Sequence, residues 1–405
     1  MSVKNNYSHT LWASCIGYVV QAIIINFSPL LFVMFNETMG VPYSKISLLI
    51  TLTFIIQLAV DFLSSPLIDK IGYRISVVLA HLFAFVGLVL LAVLPNVMSD
   101  PFLGVLIAIV IASVGGGLIE VVVSPIVEAC PHENKNGYMC LLHSFYCWGH
   151  VFVILLSVGF FAVFGIKNWQ ILSLVLAAVP FFNIFYYLRV PIVSLDEAAM
   201  KNTGKHSLKL GQLIKNKLFW LMFLLMLCAG ACELSVAQWA SALAEQGLGV
   251  SKTVGDLAGP LTFAVLMGTS RIVYSRFGSK IPLEKYMLFC AILCITAYLL
   301  ITLSPYPALS LIGCGICGWS VGVMWPGTYS LASIELKRGS TAMFAILALA
   351  GDLGCAVGPA IVGLVSESTE NSLRSGILAA IIFPIIMTFG VMIRVTQKNK
   401  KSDSK

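Results

Sequence analysis

The chain has 405 residues, of which 59% are hydrophobic and only 11% are charged, and its 25 Lys and Arg exceed its 18 Asp and Glu to give a net charge of +7. Soluble domains carry roughly 25% charged residues, so this composition excludes a soluble globular protein. Long apolar runs recur along the whole chain, and we therefore expect lipid to be the solvent for most of it.

Twelve apolar segments are long enough to cross a bilayer and predict an all-α membrane protein. The first is too long for a signal peptide and has no small-residue cleavage site, so we expect it to remain as the first span. In chain order the segments are approximately residues 10–35, 45–67, 75–94, 102–127, 140–164, 168–190, 216–243, 253–275, 285–303, 308–333, 341–366 and 373–394.

A longer, lysine-rich connection separates the sixth segment from the seventh. It predicts an N-terminal six-helix bundle at 1–190, a cytoplasmic linker at 191–215, and a C-terminal six-helix bundle at 216–405 that ends in a basic cytoplasmic tail. Two bundles of this kind suggest repeats about an axis along the membrane normal, with substrate bound near the midplane between them.

The distribution of positive charge supports one orientation. With the N-terminus inside, the Lys and Arg on outer loops are Lys45, Lys167, Lys252 and Arg374, and the positive-inside rule places both termini in the cytoplasm. We expect a multi-pass protein of the cell membrane, a monomer in the lipid bilayer. The net charge reports topology, so no nucleic-acid partner is needed to explain it.

Several functional classes lack their sequence signatures. There is no G-x-x-x-x-G-K-[ST] phosphate loop, so energy for transport must come from a substrate gradient or a coupled ion. Cys314 and Cys317 form a C-x-x-C inside an apolar, Gly-rich segment and are interpreted as small packing residues. We expect no cofactor and no metal, because no compact ligand motif is present.

The stretch GGGLIEVVVSPIVEA, residues 115–129, places Glu120 in the middle of a span. An ionised carboxylate there costs ~2.5–3.5 kcal/mol on insertion scales. One interpretation is a proton carrier that is neutral when protonated and charged only when it faces water. The other is a structural carboxylate bonded to a neighbouring helix.

Polar and aromatic residues in other spans predict a substrate cavity. His143, Tyr146 and Trp148 begin the fifth span, where helical spacing favours a cavity wall and His143 could share protons with Glu120; the alternative is hydrogen bonding between helices. The further substrate-binding candidates are Gln21 and Asn26 of the first span, Glu233, Gln238 and Trp239 of the seventh, Trp325 of the tenth and Asp352 of the eleventh.

Two of these candidates, Trp239 and Asp352, each have two interpretations. Trp239 beside amides suits stacking on a sugar ring, or else it belongs to the outer aromatic belt. Asp352, flanked by glycines, could face the cavity or pair with a cation such as Arg271.

The loop SPLIDKIGYRI, residues 65–75, resembles the motif G-x-x-x-D-R-x-G-R of the major facilitator superfamily. Asp69, Gly72 and Arg74 fit it, whereas Ser65 and Lys70 depart from it. The resemblance implies a cytoplasmic gate. We predict that Asp61, Asp69 and Arg74, together with Arg271 in the corresponding region of the second bundle, serve as gating residues.

Longer stretches resemble the fucose permease-like branch of that superfamily. GGGLIEVVVSPIVEA is similar to its fourth-span motif, and 229–251, 268–280 and 322–336 are similar to its seventh, eighth and tenth spans. The resemblance implies twelve helices and a role for Glu120 in proton coupling. Departures include Ser124 where the family has Asn, and a first span with no acid until Glu37.

These observations predict a secondary active transporter of a small polar organic solute, sugar-like in chemistry, working by proton symport with alternating access. Sodium could replace the proton, because acids and amides serve either ion. The alternatives are a proton-antiport exporter of drugs or metabolites, an uncoupled facilitator, and a membrane receptor or sensor. We do not expect an enzyme.

Overall fold

The computed structural model describes residues 6–131, 133–240, 243, 257–336, 338–369 and 372–403. Within these ranges the chain forms helices and short connections, with no strand, as predicted for an all-α membrane protein. Among the described residues, eleven helices are long and apolar enough to cross a membrane. The predicted eighth segment begins outside the described residues; its described part is the π-helical turn Leu257–Leu261 followed by the helix Thr262–Phe277.

Residue contacts divide the chain into two compact units. Unit 1 comprises Met1–His132, Phe145–Ser207 and Ser340–Ala345, and unit 2 comprises Glu133–Ser144, Leu208–Gly339 and Ile346–Lys405. Each unit therefore contains most of one predicted bundle together with a short piece of the other. The bounds 1–190, 191–215 and 216–405 stay a prediction.

Unit 1 is built on long apolar helices with defined N-terminal caps. The Asn6 side chain accepts from the backbone N–H of Ser8 at the start of α1, and Asp100 caps α5 in the same way. The helices are α1 Tyr7–Phe27, α2 Phe32–Met39, α3 Tyr43–Ile71, α4 Tyr73–Val97, α5 Pro101–Ala129, α6 Lys135–Phe164 from Phe145 onward, α7 Trp169–Tyr187 and α8 Leu195–Thr203.

Three adjacent glycines of α5 face three different helices, and Gly115 and Gly117 are the two with tight contacts. Gly115 lies against the backbone of α4, Gly116 against α1 and Gly117 against α3. Small residues allow such close helix crossings in membranes, where packing replaces the hydrophobic driving force. The glycines therefore place the following turn of α5, which carries Glu120, among several neighbouring helices.

A buried polar network joins α1, α4 and α7. His81 Nδ1 donates to the carbonyl of Val77 at 2.8 Å, and His81 Nε2 accepts from Asn183 Nδ2 at 2.9 Å. The same amide nitrogen donates to the carbonyl of Ala13 at 3.0 Å. His81 is fully buried and is a satisfied interior histidine.

The predicted linker contains ordered structure within unit 1. Helix α8 begins at a capping box formed by Ser194 and Glu197. The Asp196 carboxylate accepts from His206 Nδ1 at 2.9 Å and from Ser207, both on the backbone and on the hydroxyl. The hydrogen bond from His206 and those from Ser207 lower the pKa of Asp196.

The described part of unit 2 is also built from helices and short connections. Gly351, Gly354 and Gly358 lie along one helix, where a Cβ at any of them would meet neighbouring atoms. Unit 2 contains the start of α6 to Ser144, α9 Leu210–Ile214, α10 Lys217–Ala237, α11 Thr262–Phe277, α12 Leu283–Leu303, α13 Pro307–Val321, α14 Met324–Leu336, α15 Thr341–Ser368 from Ile346 onward, α16 Leu373–Ala379 and α17 Ile382–Asp403.

Candidate functional site

Glu120 is buried in unit 1 and is held by two amides from different helices. Its Oε2 accepts from Nε2 of Gln21 on α1 at 2.6 Å and from Nε2 of Gln57 on α3. One turn earlier on α5, Gly116 faces Ile24 of α1 and Gly117 faces Val60 and Gln57 of α3, so both helices run beside Glu120. Amide N–H groups that donate to a carboxylate stabilise its charge, so this site can hold Glu120 ionised away from water.

Sequence reasoning missed Gln57. The available signal was an amide within the apolar run LLITLTFIIQLAVD, four residues before Asp61. One turn beyond Glu120, the hydroxyls of Tyr18 and Ser124 are hydrogen-bonded at 2.9 Å. Ser124 stands where the fucose permease-like branch has Asn, and it too forms a hydrogen bond.

Asn26, Tyr146 and Trp148 are the other predicted substrate-binding residues of unit 1. Asn26 donates to the carbonyl of Ala22 in its own helix at 2.9 Å. Tyr146 and Trp148 are half-buried on α6. The indole nitrogen of Trp148 is buried and has no hydrogen-bond partner among the described residues.

A second buried charged group lies in unit 2 around Arg271 on α11. Its Nε donates to the carbonyl of Gly322 at 2.7 Å, its Nη1 donates to the carbonyl of His143 at 2.8 Å, and its Nη2 lies 3.6 Å from Oε2 of Glu233. A buried guanidinium needs such partners, because an uncompensated charge in this setting is costly. The structure thus places Glu233 beside Arg271, and the two alternatives for Asp352, facing the cavity or pairing with a cation such as Arg271, stay predictions.

His143 belongs to this second group. Its ring lies beside that of Tyr329, with centroids 5.7 Å apart, and its backbone carbonyl accepts from Arg271. Glu120 lies in unit 1 and His143 in unit 2. Proton sharing between Glu120 and His143 stays a prediction.

The remaining substrate candidates of unit 2 lie on α14, α15 and the end of α10. Trp239 Nε1 donates to the carbonyl of Pro359 at 3.3 Å, so its polar edge is used within the protein. Gln238 is exposed. Trp325 packs on Gly351, where a Cβ would collide with the indole ring, and buried Asp352 follows directly in sequence.

The predicted gating residues of unit 1 have defined contacts. Asp69 accepts from the Thr341 hydroxyl at 2.6 Å, and that hydroxyl accepts from Tyr73 at 2.8 Å. Arg74 donates to the carbonyls of Tyr187 at 2.6 Å and Val190 at 2.9 Å, a favourable position for a cation at the C-terminal end of α7. Asp61 is fully buried on α3. Arg271, in unit 2, has the contacts given above, and gating by all four residues stays a prediction.

Among the residues that the structure describes, no group of three His, Cys, Asp or Glu could hold a metal ion. The polar side chains described above carry amides, carboxylates, hydroxyls, aromatic rings and a buried guanidinium.

Solved structures of transport proteins share the fold. The E. coli fucose:proton symporter FucP is similar with a TM-score of 0.79 at 14% identity, covering 95% of this chain and 98% of that one. The proton:xylose symporter XylE, bound to 6-bromo-6-deoxy-D-glucose, gives 0.78 at 12% identity, covering 96% and 95%. The human organic anion transporter MFSD10 gives 0.73 at 14% identity, covering 96% and 100%.

No curated protein sequence matches the chain significantly. The family model of the Major Facilitator Superfamily matches residues 13–359, which is most of the chain. That match agrees with the eleven apolar helices and with the shared fold. The chain therefore belongs to the Major Facilitator Superfamily and is a multi-pass membrane transporter, not an enzyme.

Proposed function

We propose that the protein is a secondary active transporter of a small polar organic solute, with sugars favoured, driven by proton symport. The observation that carries the proposal is the buried Glu120 carboxyl, held by Gln21 and Gln57 in the core of unit 1. Intramembrane acids are rare and mark ion pathways. The shared fold with two sugar:proton symporters supports the same class of solute and ion.

In the proposed cycle Glu120 takes a proton from outside, and the solute then binds. The solute site then opens to the other side of the membrane, where solute and proton leave. The amides of Gln21 and Gln57 stabilise the carboxylate between these events. His143 is the proposed second proton-coupling group, and Asp61, Asp69, Arg74 and Arg271 are the proposed gate.

The proposed solute site uses side chains that suit a hydroxylated ligand. Aromatic faces pack on a sugar ring, while amides and acids bind hydroxyls. The residues are Gln21, Asn26, Tyr146, Trp148, Glu233, Gln238, Trp239, Trp325 and Asp352. We also propose a location in the cell membrane with both termini cytoplasmic, supported by the charge distribution.

The test begins with a thermal-shift screen of purified protein against L-fucose, D-xylose, sugar acids, nucleosides and amino acids, with and without sodium, at two pH values. A ligand that binds the native state raises its melting temperature. We expect a sugar hit that depends on pH and is indifferent to sodium. Hits confined to apolar aromatic compounds would instead indicate an exporter.

Uptake of the hit into proteoliposomes then tests coupling. The wild-type protein should concentrate the solute when the inward proton gradient is imposed, and E120Q should exchange it without concentrating it. Glu367→Gln is the matched control, since Glu367 is exposed at the end of α15. Concentrative uptake by E120Q would remove Glu120 from the coupling mechanism, and wild-type uptake that never exceeds equilibrium would indicate an uncoupled facilitator.

A further inference from the structure

The carbonyl end of the Gln21 amide is a buried acceptor that lacks a donor. Gln21 is 3% exposed, and its Nε2 is directed at Glu120. Its Oε1 has no hydrogen-bond partner among the described residues. Buried acceptors normally have a hydrogen-bond donor. With Glu120 ionised, no described residue donates to Oε1 of Gln21, so a donor is expected in another state of the site.

The Glu120 oxygen that contacts Gln21 can form two hydrogen bonds in either protonation state. The two side chains lie 2.6 Å apart. The same oxygen of Glu120 also accepts from Gln57, and a protonated carboxyl oxygen can donate one hydrogen bond and accept another.

We propose that Gln21 is a positioning residue whose amide reverses when Glu120 gains or loses its proton, an inference that rests on the proposed coupling role of Glu120. When Glu120 is ionised, Nε2 of Gln21 donates to it. When Glu120 is protonated, its O–H donates to Oε1 of Gln21. The terminal torsion of Gln is broad and nearly two-fold, and rotation breaks no other Gln21 hydrogen bond in the described part of the chain.

Reversal changes what the far end of the amide offers to a ligand. With Glu120 ionised, the far end is a carbonyl; with Glu120 protonated, it is an NH₂ group with two donors. A solute oxygen that needs a donor, such as a sugar hydroxyl, ring oxygen or carboxylate, is therefore recognised when the proton is bound. That linkage has the sign required for symport, because proton and solute favour the same state of the site.

Other ionisable groups lie on the helices that pack against α5, so the test must assign the response to Glu120. Those on α1, α3, α4 and α8 include Cys15, Tyr18, Asp61, His81, Asp196, Glu197 and Lys201. His81 is already bonded to Val77 and Asn183. Loss of a spectral band in E120Q provides the assignment.

Infrared difference spectra of the lipid-reconstituted protein, recorded between alkaline and acidic pH, test the proposal. The bands absent in E120Q belong to Glu120 as carboxylic acid and as carboxylate. We expect Q21L and Q21M to shift both bands, because the amide partners both forms. Asn96→Ala, which removes an amide bonded within its own helix, should shift neither.

The outcomes separate this inference from the proposed function. If only the carboxylate band moves in Q21L and Q21M, Gln21 is a fixed donor and the reversal is wrong. If neither band moves, Gln21 does not partner Glu120. If no Glu120 band titrates in the wild type, the proposed coupling fails as well. Should both variants misfold, ¹³C-labelled glutamine in the wild type must show an amide carbonyl shift that is lost in E120Q, or the proposal is overturned.

Discussion

Substitution of Gly115 by alanine should destabilise the protein, because Gly115 meets the α4 backbone directly. A Cβ at Gly115 would lie 2.6 Å from the backbone nitrogen of Ala84 and 2.7 Å from the carbonyl oxygen of Ala80. Ordinary contacts begin at 3.4 Å, so α4 and α5 would have to separate by about 0.8 Å. Backbone atoms cannot rotate out of the way, and overpacking of this kind costs roughly 1–3 kcal/mol.

The neighbouring glycine provides a matched control. A Cβ at Gly116 would lie 3.5 Å from the side chain of Ile24, an ordinary contact. G116A and G115A change the same residue type in the same helix, so their intrinsic helix propensities cancel. The difference between the two variants isolates the contact with α4.

Thermal unfolding of both variants in the same detergent, monitored by intrinsic fluorescence, measures that difference. We expect G116A to melt at or above the wild-type temperature and G115A well below it. Equal melting temperatures for the two variants would refute the reasoning, since they would show that α4 and α5 separate without cost.

Three further predictions concern other parts of the molecule. R271A should destabilise by about 3–5 kcal/mol, because it leaves Glu233, whose side chain is only 15% exposed, without its cation. The double variant with E233A should cost less than the sum of the single variants, and additive unfolding energies would contradict the pairing. Hydrogen bonding from His206 lowers the pKa of Asp196. Protection of the linker from hydrogen exchange should therefore be constant from neutral pH to about 4, and it should fall as the pH drops through the lowered pKa. A D196N variant that retains full protection at neutral pH would contradict this. T341V should lose about 1–2 kcal/mol relative to T341S, which keeps the hydroxyl, and equal unfolding midpoints would show that the hydroxyl contributes nothing.

The sequence predicts features that depend on local composition. Apolar length identifies the spans because each must satisfy its own backbone hydrogen bonds in lipid. A charge in lipid is costly, so an acid within such a span predicts a residue with a function or a partner. The apolar residues on either side of Glu120 are therefore enough to identify it as a candidate. The superfamily, too, follows from residues close together in sequence, such as those of the loop at 65–75.

Partnerships between helices could not be predicted in this way. Gln57 meets Glu120, and Arg271 meets Glu233, because of the rotation and register of separate helices. Periodicity gives the faces of one helix but does not say which face of another it meets. For the same reason, the hydrogen bond from the Trp239 indole to Pro359 does not follow from the sequence pattern.

The hydrogen bonds of His81 fix the tautomer of its ring and so create an intrinsic spectroscopic label. Nδ1 carries the proton, since it donates to the carbonyl of Val77, and Nε2 is unprotonated, since the Asn183 amide donates to it. Nitrogen-15 chemical shifts distinguish these two ring nitrogens. A ¹⁵N-histidine spectrum would therefore follow the junction of α1, α4 and α7 through a working cycle, without any dye or added cysteine.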